Sequence, residues 1–336
     1  MKTGILKSVI GVLGLFFLSL GLFLFWAVGK NLAQKSNLEI EVVNALPIYG
    51  KHQITLLSYN IGHGQGIKNQ PTDWRDEEYT RKKMAELTQV IESINPDIIA
   101  MQEVDIDAHR THHINEAQWI ADAGHYPYRA CALVWDENYI PYPFWPISHQ
   151  LGSIKSANCI LSRFPLSKHR RFLFQKPSKN PFWYNWAYLD RGAQSVKVTV
   201  GSKHFILLNV HLEAFDKNTR QKQAHELVEL LKKIKAPVLL TGDFNSVPAE
   251  ANQKHNFKGE PEADFREDHS IAIIRSALGD DFDEGPMTGH TFPADKPNQR
   301  LDATFAFNGL HILSSHVVEK AQDASDHLPI LSLLSF

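Results

Sequence analysis

The sequence is poor in cysteine and has no excess of charge of either sign. Its 336 residues include two cysteines, and 35 lysines and arginines stand against 37 aspartates and glutamates. Two cysteines are too few for a disulfide framework or a cysteine-based zinc site. Cys131 and Cys159 could pair, but we interpret them as two buried free thiols. The balanced charge does not favour a protein that binds nucleic acid through its phosphates, although a local basic groove stays open.

The sequence after residue 54 also lacks repeats, low-complexity tracts and any second shift in composition. Apolar residues make up 43% of the chain, which excludes global disorder and is enough for a full-sized core. We therefore predict one domain over 54–336. Residues 31–53 are mixed and polar, and we interpret them as a short linker.

The N-terminus carries a long uncharged run, "SVIGVLGLFFLSLGLFLFWAVG", between Lys7 and Lys30. As a helix it would extend about 33 Å, which is enough to cross a bilayer core. We interpret 1–30 as a transmembrane anchor or signal-anchor of a single-pass membrane protein. A cleaved signal peptide is the alternative, with a weak site at 27–29. Lysines flank both ends, and we favour a periplasmic or extracellular location for the following domain.

Short apolar runs alternate with amphipathic helical patterns through the rest of the chain. Apolar residues recur at helical spacing in 78–94 and 218–235, and Gly201-Ser202 predicts a hairpin. This alternation predicts an α/β fold with a mixed sheet buried on both faces. The predicted strands are 54–59, 97–102, 158–162, 194–200, 204–210, 237–242 and 301–307.

Polar side chains follow or precede six of the apolar runs. Each of them has an ordinary structural explanation, such as a turn residue or a buried histidine. Together they are informative, because ligands of α/β proteins bind where strand ends converge. Asparagine, aspartate, glutamate and histidine at one such place predict an oxygen-rich metal site with histidines beside it. These residues are Asn60, Glu103, His211, Asp243 with Asn245, Asp302, and Asp326 with His327.

This set of side chains suits the chemistry of phosphate esters. A hard divalent ion can bind a phosphoryl oxygen, a carboxylate can activate a water, and amide or imidazole donors can bind the remaining oxygens. Residues i and i+2 of a strand point the same way. The side chains of Asp243 and Asn245 would thus point toward the same site if the extended conformation continues through Phe244.

The order of the motifs resembles that of the endonuclease/exonuclease/phosphatase superfamily, which has the deoxyribonuclease I-like fold. The motifs are "SYN", "QEVD", "NVHL", "TGDFN", "RLDATF" and "SDHLPI", and "ANCILSRFP" at 157–165 also fits. The resemblance covers about 54–336. Together with the N-terminal apolar run, it identifies the chain as a membrane-anchored member. It implies a four-layer α/β sandwich, with two packed mixed sheets flanked by helices, preceded here by one transmembrane helix.

The resemblance also implies a role for each matching residue. It implies a Mg²⁺-dependent phosphodiesterase or phosphatase, with Mn²⁺ as an alternative ion. Glu103 would be the principal metal ligand, supported by Asn60 and Asp326. Asp243 would activate the water, while Asn245, His211 and Asn158 would bind the phosphate. His327, paired with Asp302, would stabilise the transition state.

Other features leave the substrate open. "GHGQG" at 62–66 is interpreted as a mobile loop at the rim of the site, with His63 as a candidate contact. "RACALVW" at 129–135 departs from the family pattern and is interpreted as part of an unusual loop. The aromatic segments 136–152 and 174–189 could pack as a local core, contact lipid or stack on bases. The candidate substrates are nucleic acid and a phospholipid headgroup, the alternative function is a non-catalytic binding module, and no protein partner can be read.

Overall fold

The computed structural model describes residues 2–44, 51–67, 76–279, 282–284 and 287–336. Within them, most strands belong to two mixed sheets. The seven-stranded sheet has the order β1-β7-β8-β9-β10-β15-β13, the eight-stranded sheet has the order β14-β16-β17-β3-β4-β6-β5-β2, and β11 and β12 form a hairpin. The strands are β1 Lys35–Asn37, β2 Glu41–Val42, β3 Gln53–Asn60, β4 Ile98–Asp105, β5 Tyr128–Ile140, β6 Gly152–Ser162, β7 Leu166–Leu173, β8 Gly192–Val200, β9 Lys203–His211, β10 Val238–Asp243, β11 His255–Phe257, β12 Glu260–Asp264, β13 Phe282–Asp283, β14 Met287–Thr288, β15 Asp302–Phe307, β16 His311–Val317 and β17 Ile330–Ser335.

The helices form the outer layers of the sandwich. Helices α2 and α3 cover the eight-stranded sheet through one apolar cluster, and α5 and α6 cover the seven-stranded sheet through another. Helix α2 begins where the Asp76 side chain accepts a hydrogen bond from Glu78 N, as an N-cap does. This is the four-layer α/β sandwich that the sequence predicted, and all seven predicted strands and both helices are found. The helices are α1 Lys2–Ala27, α2 Glu77–Ile94, α3 Glu116–Ala123, α4 Phe182–Ala187, α5 Lys217–Leu231 and α6 Ser270–Leu278.

A third apolar cluster fills the space between the two sheets. Leu56, Ile98, Leu207 and Leu239 are fully buried there. Because side chains alternate along a strand, the residues two and four positions further on face the same interior. On β3, β9 and β10 those positions change from apolar to polar toward the strand end. The inner faces therefore carry polar side chains at one end of the sandwich.

The N-terminal helix α1 stands apart from this core. Residues Lys7–Ala27 are long and apolar enough to cross a membrane, and the run is not buried in the protein. By length and composition alone a signal sequence passes the same test. The helix is thus a candidate membrane span.

The segment 31–53, predicted as a linker, contributes strands to both sheets. β1 pairs with β7 of the seven-stranded sheet, and β2 pairs with β5 of the eight-stranded sheet. Residues 45–50 within it lie outside the described part of the chain. The start of the domain thus forms one edge strand of each of the two sheets.

Two predictions about the region around Cys131 are wrong. "RACALVW" is not loop but lies within the first part of β5, a long strand paired with β6. Cys131 and Cys159 are not free thiols. They lie directly opposite each other in this register, with Cα atoms 4.2 Å apart, and form a disulfide. We interpreted 129–135 as part of a loop. Without a strand at that position, nothing in the sequence indicated that the two cysteines face each other.

Candidate active site

Glu103 reaches the site from a bulge in β4. The register between β4 and β6 shifts between Met101 and Val104, and Glu103 has φ +54°, a left-handed conformation that is uncommon outside glycine. Its side chain is 15% exposed, with Oε2 3.0 Å from His63 Nε2 and Oε1 4.0 Å from His211 Nε2. The bulge thus turns the carboxylate toward the polar end of the sheets.

Asp243 lies at the centre of the cluster, at the end of β10. Its carboxylate is 1% exposed, accepts a hydrogen bond from Asn60 Nδ2 at 3.0 Å, and lies 3.4 Å from His211 Nε2 and 3.8 Å from His327 Nε2. Burial and the neighbouring Asp302 charge raise its pKa from 3.8 to about 6, against the lowering effect of His327. A carboxylate with a raised pKa beside two imidazoles is suited to exchange a proton near neutral pH.

The glycine before Asp243 allows β10 and β9 to approach closely. Gly242 has φ +139°, and a Cβ atom there would lie 2.0 Å from Val210 O. Any side chain at this position would push the two strands apart and move Asp243 with them.

Asn245 reaches the site by a different route from the predicted one. The extended conformation ends at Asp243, because Asn245 is left-handed at φ +49°. The Asn245 N–H donates to Asp243 Oδ1 at 2.8 Å, and Asn245 Nδ2 donates to Leu212 O at 2.9 Å. An Asx turn, rather than i and i+2 alternation along a strand, therefore joins the two residues.

Asp302 and His327 form a buried pair beside Asp243. Asp302 is the direct neighbour of Asp243 in the antiparallel register of β10 and β15, and its Oδ2 lies 2.9 Å from His327 Nδ1. Burial lowers the pKa of His327, but the carboxylates of Asp302, Asp243 and Asp326 raise it to about 10. The imidazole is therefore held in its charged form.

His211 has the opposite electrostatic environment. It ends β9 and is buried, and Arg191 Nη1 lies 2.6 Å from its Nε2 and 2.9 Å from its Nδ1. Burial and the Arg191 charge lower the pKa of His211 well below its usual value, although Glu103 acts against them. The site thus contains one neutral and one charged imidazole.

Asn60 and Asp326 lie on either side of Gly62. The Gly62 N–H donates to Asn60 Oδ1 at 3.1 Å, and a Cβ atom on Gly62 would lie 2.6 Å from Asp326 Oδ1. Ser325 Oγ donates to Asn60 O at 2.8 Å, which ties the Asp326 segment to the end of β3. Gly62 has φ +54°, so its lack of a side chain serves both the turn and the close approach.

Asn158 lies on β6 between the partners of Met101 and Val104, opposite the bulge that carries Glu103. It is buried, and its Oδ1 has no hydrogen-bond partner in the described structure. A buried polar atom without a partner carries a free-energy cost, which a ligand can relieve. The predicted proximity of Asn158 to a substrate phosphate stays a prediction.

Sequence reasoning missed several charged residues that surround the predicted ones. Arg110 donates to His63 Nδ1 at 2.8 Å and to both carboxylate oxygens of Asp105. His63 was treated as part of a mobile loop, yet this contact leaves its Nε2 to face Glu103. Arg191 was also missed. Arg110 lies in a short 3₁₀ helix and Arg191 directly precedes β8. Charged residues are common in both places, so no sequence signal separated these arginines from surface ones.

The donor set fits a hard divalent cation. Glu103 in the bulge of β4, Asn60 at the end of β3 and Asp326 before β17 lie at one end of the eight-stranded sheet. Carboxylate and amide oxygens are the ligands that such ions take. Among the described residues, one group of three acids or histidines has ligand atoms within 4.8 Å of one another, and it consists of Asp243, Asp302 and His327. In this group His327 is paired with Asp302 and charged, so the group combines two carboxylates with an imidazolium.

The geometry brings all the residues predicted for the site to the same end of the sandwich. Contacts within 4.0 Å link Glu103 to His211, His211 to Asp243 and Asp243 to His327. Asp302, Asn60 and Asn245 bond directly to members of this chain of contacts. Asp326 lies next to Gly62, which is bonded to Asn60, and Asn158 lies opposite the bulge of β4 that carries Glu103.

Comparisons with known proteins identify the family and the fold. Residues 57–327 match the Endonuclease/Exonuclease/phosphatase family, while no curated protein matches the sequence significantly. An endonuclease/exonuclease/phosphatase from Beutenbergia cavernae superposes with a TM-score of 0.60 at 18% identity, covering 85% of this chain and 72% of that one. A mannosyl-6-phosphatase from Bacteroides thetaiotaomicron gives 0.55 at 19%, covering 84% of this chain and 100% of that one.

A humanized TDP2 from D. rerio has the same fold at 13% identity, with a TM-score of 0.54 over 85% of this chain and 100% of that one. At such identities the solved structures establish the fold alone, whereas the family match extends over most of the sequence. The chain therefore belongs to the endonuclease/exonuclease/phosphatase family.

Proposed function

We propose that the protein is a Mg²⁺-dependent phosphoesterase that hydrolyses a phosphodiester or phosphomonoester at a membrane. Mn²⁺ is the alternative ion. The proposal depends on one observation above all, the buried Asp243 carboxylate in contact with Asn60, His211 and His327. This carboxylate has one neutral and one charged imidazole beside it, and hydrolysis of a phosphate ester can use all three groups.

The metal ion is assigned to Glu103, Asn60 and Asp326. When bound, Mg²⁺ would supply Lewis-acid polarisation of a phosphoryl oxygen. The role of the protein here is to hold three oxygen ligands, with Asn60 at the end of β3, Glu103 in the bulge of β4 and Asp326 in the segment before β17. His63, bonded to Arg110, orients the Glu103 carboxylate from the other side.

Asp243 is assigned to the attacking water. Its carboxylate orients the water for in-line attack and accepts its proton, for which a pKa of about 6 is well matched near neutral pH. The Asn60 amide and the Asn245 N–H each donate to one of the two carboxylate oxygens. These bonds fix the direction in which the carboxylate faces.

The phosphate is assigned to amide and imidazole donors around Asp243. His211, neutral because of burial and Arg191, keeps one N–H to donate to a non-bridging oxygen. Asn245 and Asn158 supply side-chain amides, and Asn158 lies opposite the bulge of Glu103. Arg191 adds positive charge behind His211, which favours an anionic group in the site.

The His327–Asp302 pair is assigned to the developing charge of the transition state. An imidazolium ion held by a carboxylate at 2.9 Å is preorganised to donate to an oxygen as its charge grows. Because the pair is buried, its electrostatic effect is larger than it would be in water.

Two substrate classes remain in the proposal, nucleic acid and a phospholipid headgroup. The apolar helix α1 supports attachment to a membrane, and the disulfide between Cys131 and Cys159 supports a periplasmic or extracellular domain, because disulfides persist in oxidising compartments. Parallel assays on plasmid DNA, RNA and labelled phospholipid vesicles would separate the classes.

Metal removal tests the proposed activity most simply. The purified full-length protein is expected to hydrolyse bis-p-nitrophenyl phosphate with added Mg²⁺, to lose this activity in EDTA, and to regain it when Mg²⁺ is restored in excess. The reason is that the oxygen donors of Glu103, Asn60 and Asp326 bind a hard cation that the reaction requires. Activity that is the same with EDTA and with Mg²⁺ would refute the metal assignment.

A further inference from the structure

Two segments expose an unusual amount of aromatic surface. Residues 141–151 join β5 to β6, residues 181–188 contain α4, and neither segment has an acidic or basic side chain apart from His149. Phe144 and Trp145 are each 78% exposed. Soluble proteins rarely expose large contiguous apolar patches without a partner for them. The exposed side chains are Tyr142, Phe144, Trp145, Ile147, Phe182, Trp183, Tyr184 and Trp186.

The segment 181–188 is held against the middle of β5, the strand that continues into the segment 141–151. Trp135 Nε1 donates to Ala187 O at 3.0 Å, and the Asp190 N–H donates to Val134 O at 2.9 Å. The prediction that these aromatics could pack as a local core is not met, because they project into solvent while polar contacts hold their backbone. We call the eight exposed side chains, with Phe215, the aromatic rim.

The aromatic rim lies at the same end of the sandwich as the active site. Trp135 pairs with Ser156 in the β5–β6 register, two residues from Asn158. On the other sheet, Glu213 follows His211 by two residues, and its Oε1 accepts hydrogen bonds from Tyr188 Oη at 2.7 Å and from the Phe215 N–H at 3.0 Å. Phe215 is 81% exposed. Both segments and Phe215 therefore border the strand ends that hold the catalytic cluster.

The candidate membrane helix reaches the protein at this end as well. The last turn of α1 contacts β5, where Asn138 Nδ2 donates to Trp26 O at 2.8 Å and the Phe23 and Tyr139 rings lie 5.8 Å apart. The Gly29 N–H donates to Glu137 Oε2 at 2.6 Å. From this contact β5 leads within a few residues to Tyr142. The last turn of the helix therefore contacts the strand that leads into the aromatic rim.

We propose that the aromatic rim is a docking surface for the lipid bilayer, a second membrane contact beside α1 that holds the mouth of the active site against the headgroup layer. Tryptophan and tyrosine are enriched at membrane–water interfaces, because their rings are apolar while their N–H and O–H groups stay hydrated. The absence of carboxylates from the two segments removes repulsion by anionic lipids. One consequence rests on the function proposed above: the enzyme should prefer phosphate esters carried at the membrane surface to soluble ones.

Fluorescence quenching tests the docking surface without reference to catalysis. The full-length protein is reconstituted into vesicles of ordinary phosphatidylcholine or of phosphatidylcholine brominated near the headgroup end of its acyl chains. The emission lost on Trp145→Phe isolates the signal of Trp145, and Trp183→Phe does the same for α4. In brominated vesicles we expect both difference signals to lose most of their intensity, because each ring lies in the lipid interface.

Trp119→Phe is the matched control. Trp119 lies on α3, packed at the cluster under the eight-stranded sheet and stacked with Arg81, so its signal should be equal in both kinds of vesicle. Difference signals for Trp145 and Trp183 that are as strong in brominated as in ordinary lipid would overturn the proposal. A blue-shifted but unquenched signal would overturn it too, since a second protein surface would then cover the rim. Phosphatase activity on a soluble substrate reports separately on the proposed function.

Discussion

Replacing Asp243 with alanine is expected to abolish Mg²⁺-stimulated hydrolysis of bis-p-nitrophenyl phosphate, with kcat lower by about 10²–10⁴-fold, the usual contribution of a general base. Alanine neither orients a water nor accepts its proton. Initial rates at saturating Mg²⁺ measure the effect. A variant with close to the wild-type kcat would refute the role assigned to Asp243.

The same variant should remain folded. Burial raises the pKa of Asp243 from 3.8 to about 6, so its ionised form is disfavoured in the metal-free protein. An acid whose folded pKa is raised makes the folded state less stable as pH rises from about 4 to 6. Removing it should therefore leave the free energy of unfolding at pH 7 unchanged or higher, as urea denaturation in EDTA would measure.

His327→Ala is expected to have the second largest effect, lowering kcat by about 10²–10³-fold, as loss of one preorganised donor to the transition state does. Asp302→Asn should cause a smaller loss, because the imidazole stays in place but its charged form loses its partner. The carboxylates raise the pKa of His327 to about 10 against the effect of burial. The alkaline limb of the pH–rate profile should thus move to lower pH in Asp302→Asn.

The His311–Asp283 pair provides a matched control for both experiments. It has the same Nδ1 to Oδ2 contact, also 2.9 Å, but it is exposed and joins β16 to β13 away from the catalytic cluster. His311→Ala and Asp283→Ala should leave kcat and the pH profile unchanged. If Asp302→Asn left the alkaline limb where it is in the wild type, the pair would not act as assigned.

The strands that hold the site were predictable because their sequences are simple. Runs such as Leu239-Leu240 are buried on both faces, and each ends in a polar residue that a buried strand would otherwise avoid. Asn60, His211 and Asp243 stand at such ends, and the structure places them within contact of one another. The candidate helices were predictable from their apolar spacing alone.

The parts that were not predictable depend on contacts between distant residues. Pairing of Cys131 with Cys159 follows from the register of β5 against β6, and a sequence does not contain a register. The left-handed conformations of Glu103 and Asn245 break the strand periodicity on which the prediction relied. Arg191 belongs to the site because β8 pairs with β9, which sets it beside His211.

The position of a bound ion tests the central claim most directly. Crystals of the protein grown or soaked with Mn²⁺ should give an anomalous peak within about 2.5 Å of a Glu103 carboxylate oxygen, with Asn60 or Asp326 as a second contact and Asp243 close to it. A peak bound only between Asp302 and His327, or the absence of any peak at Glu103, would contradict the account.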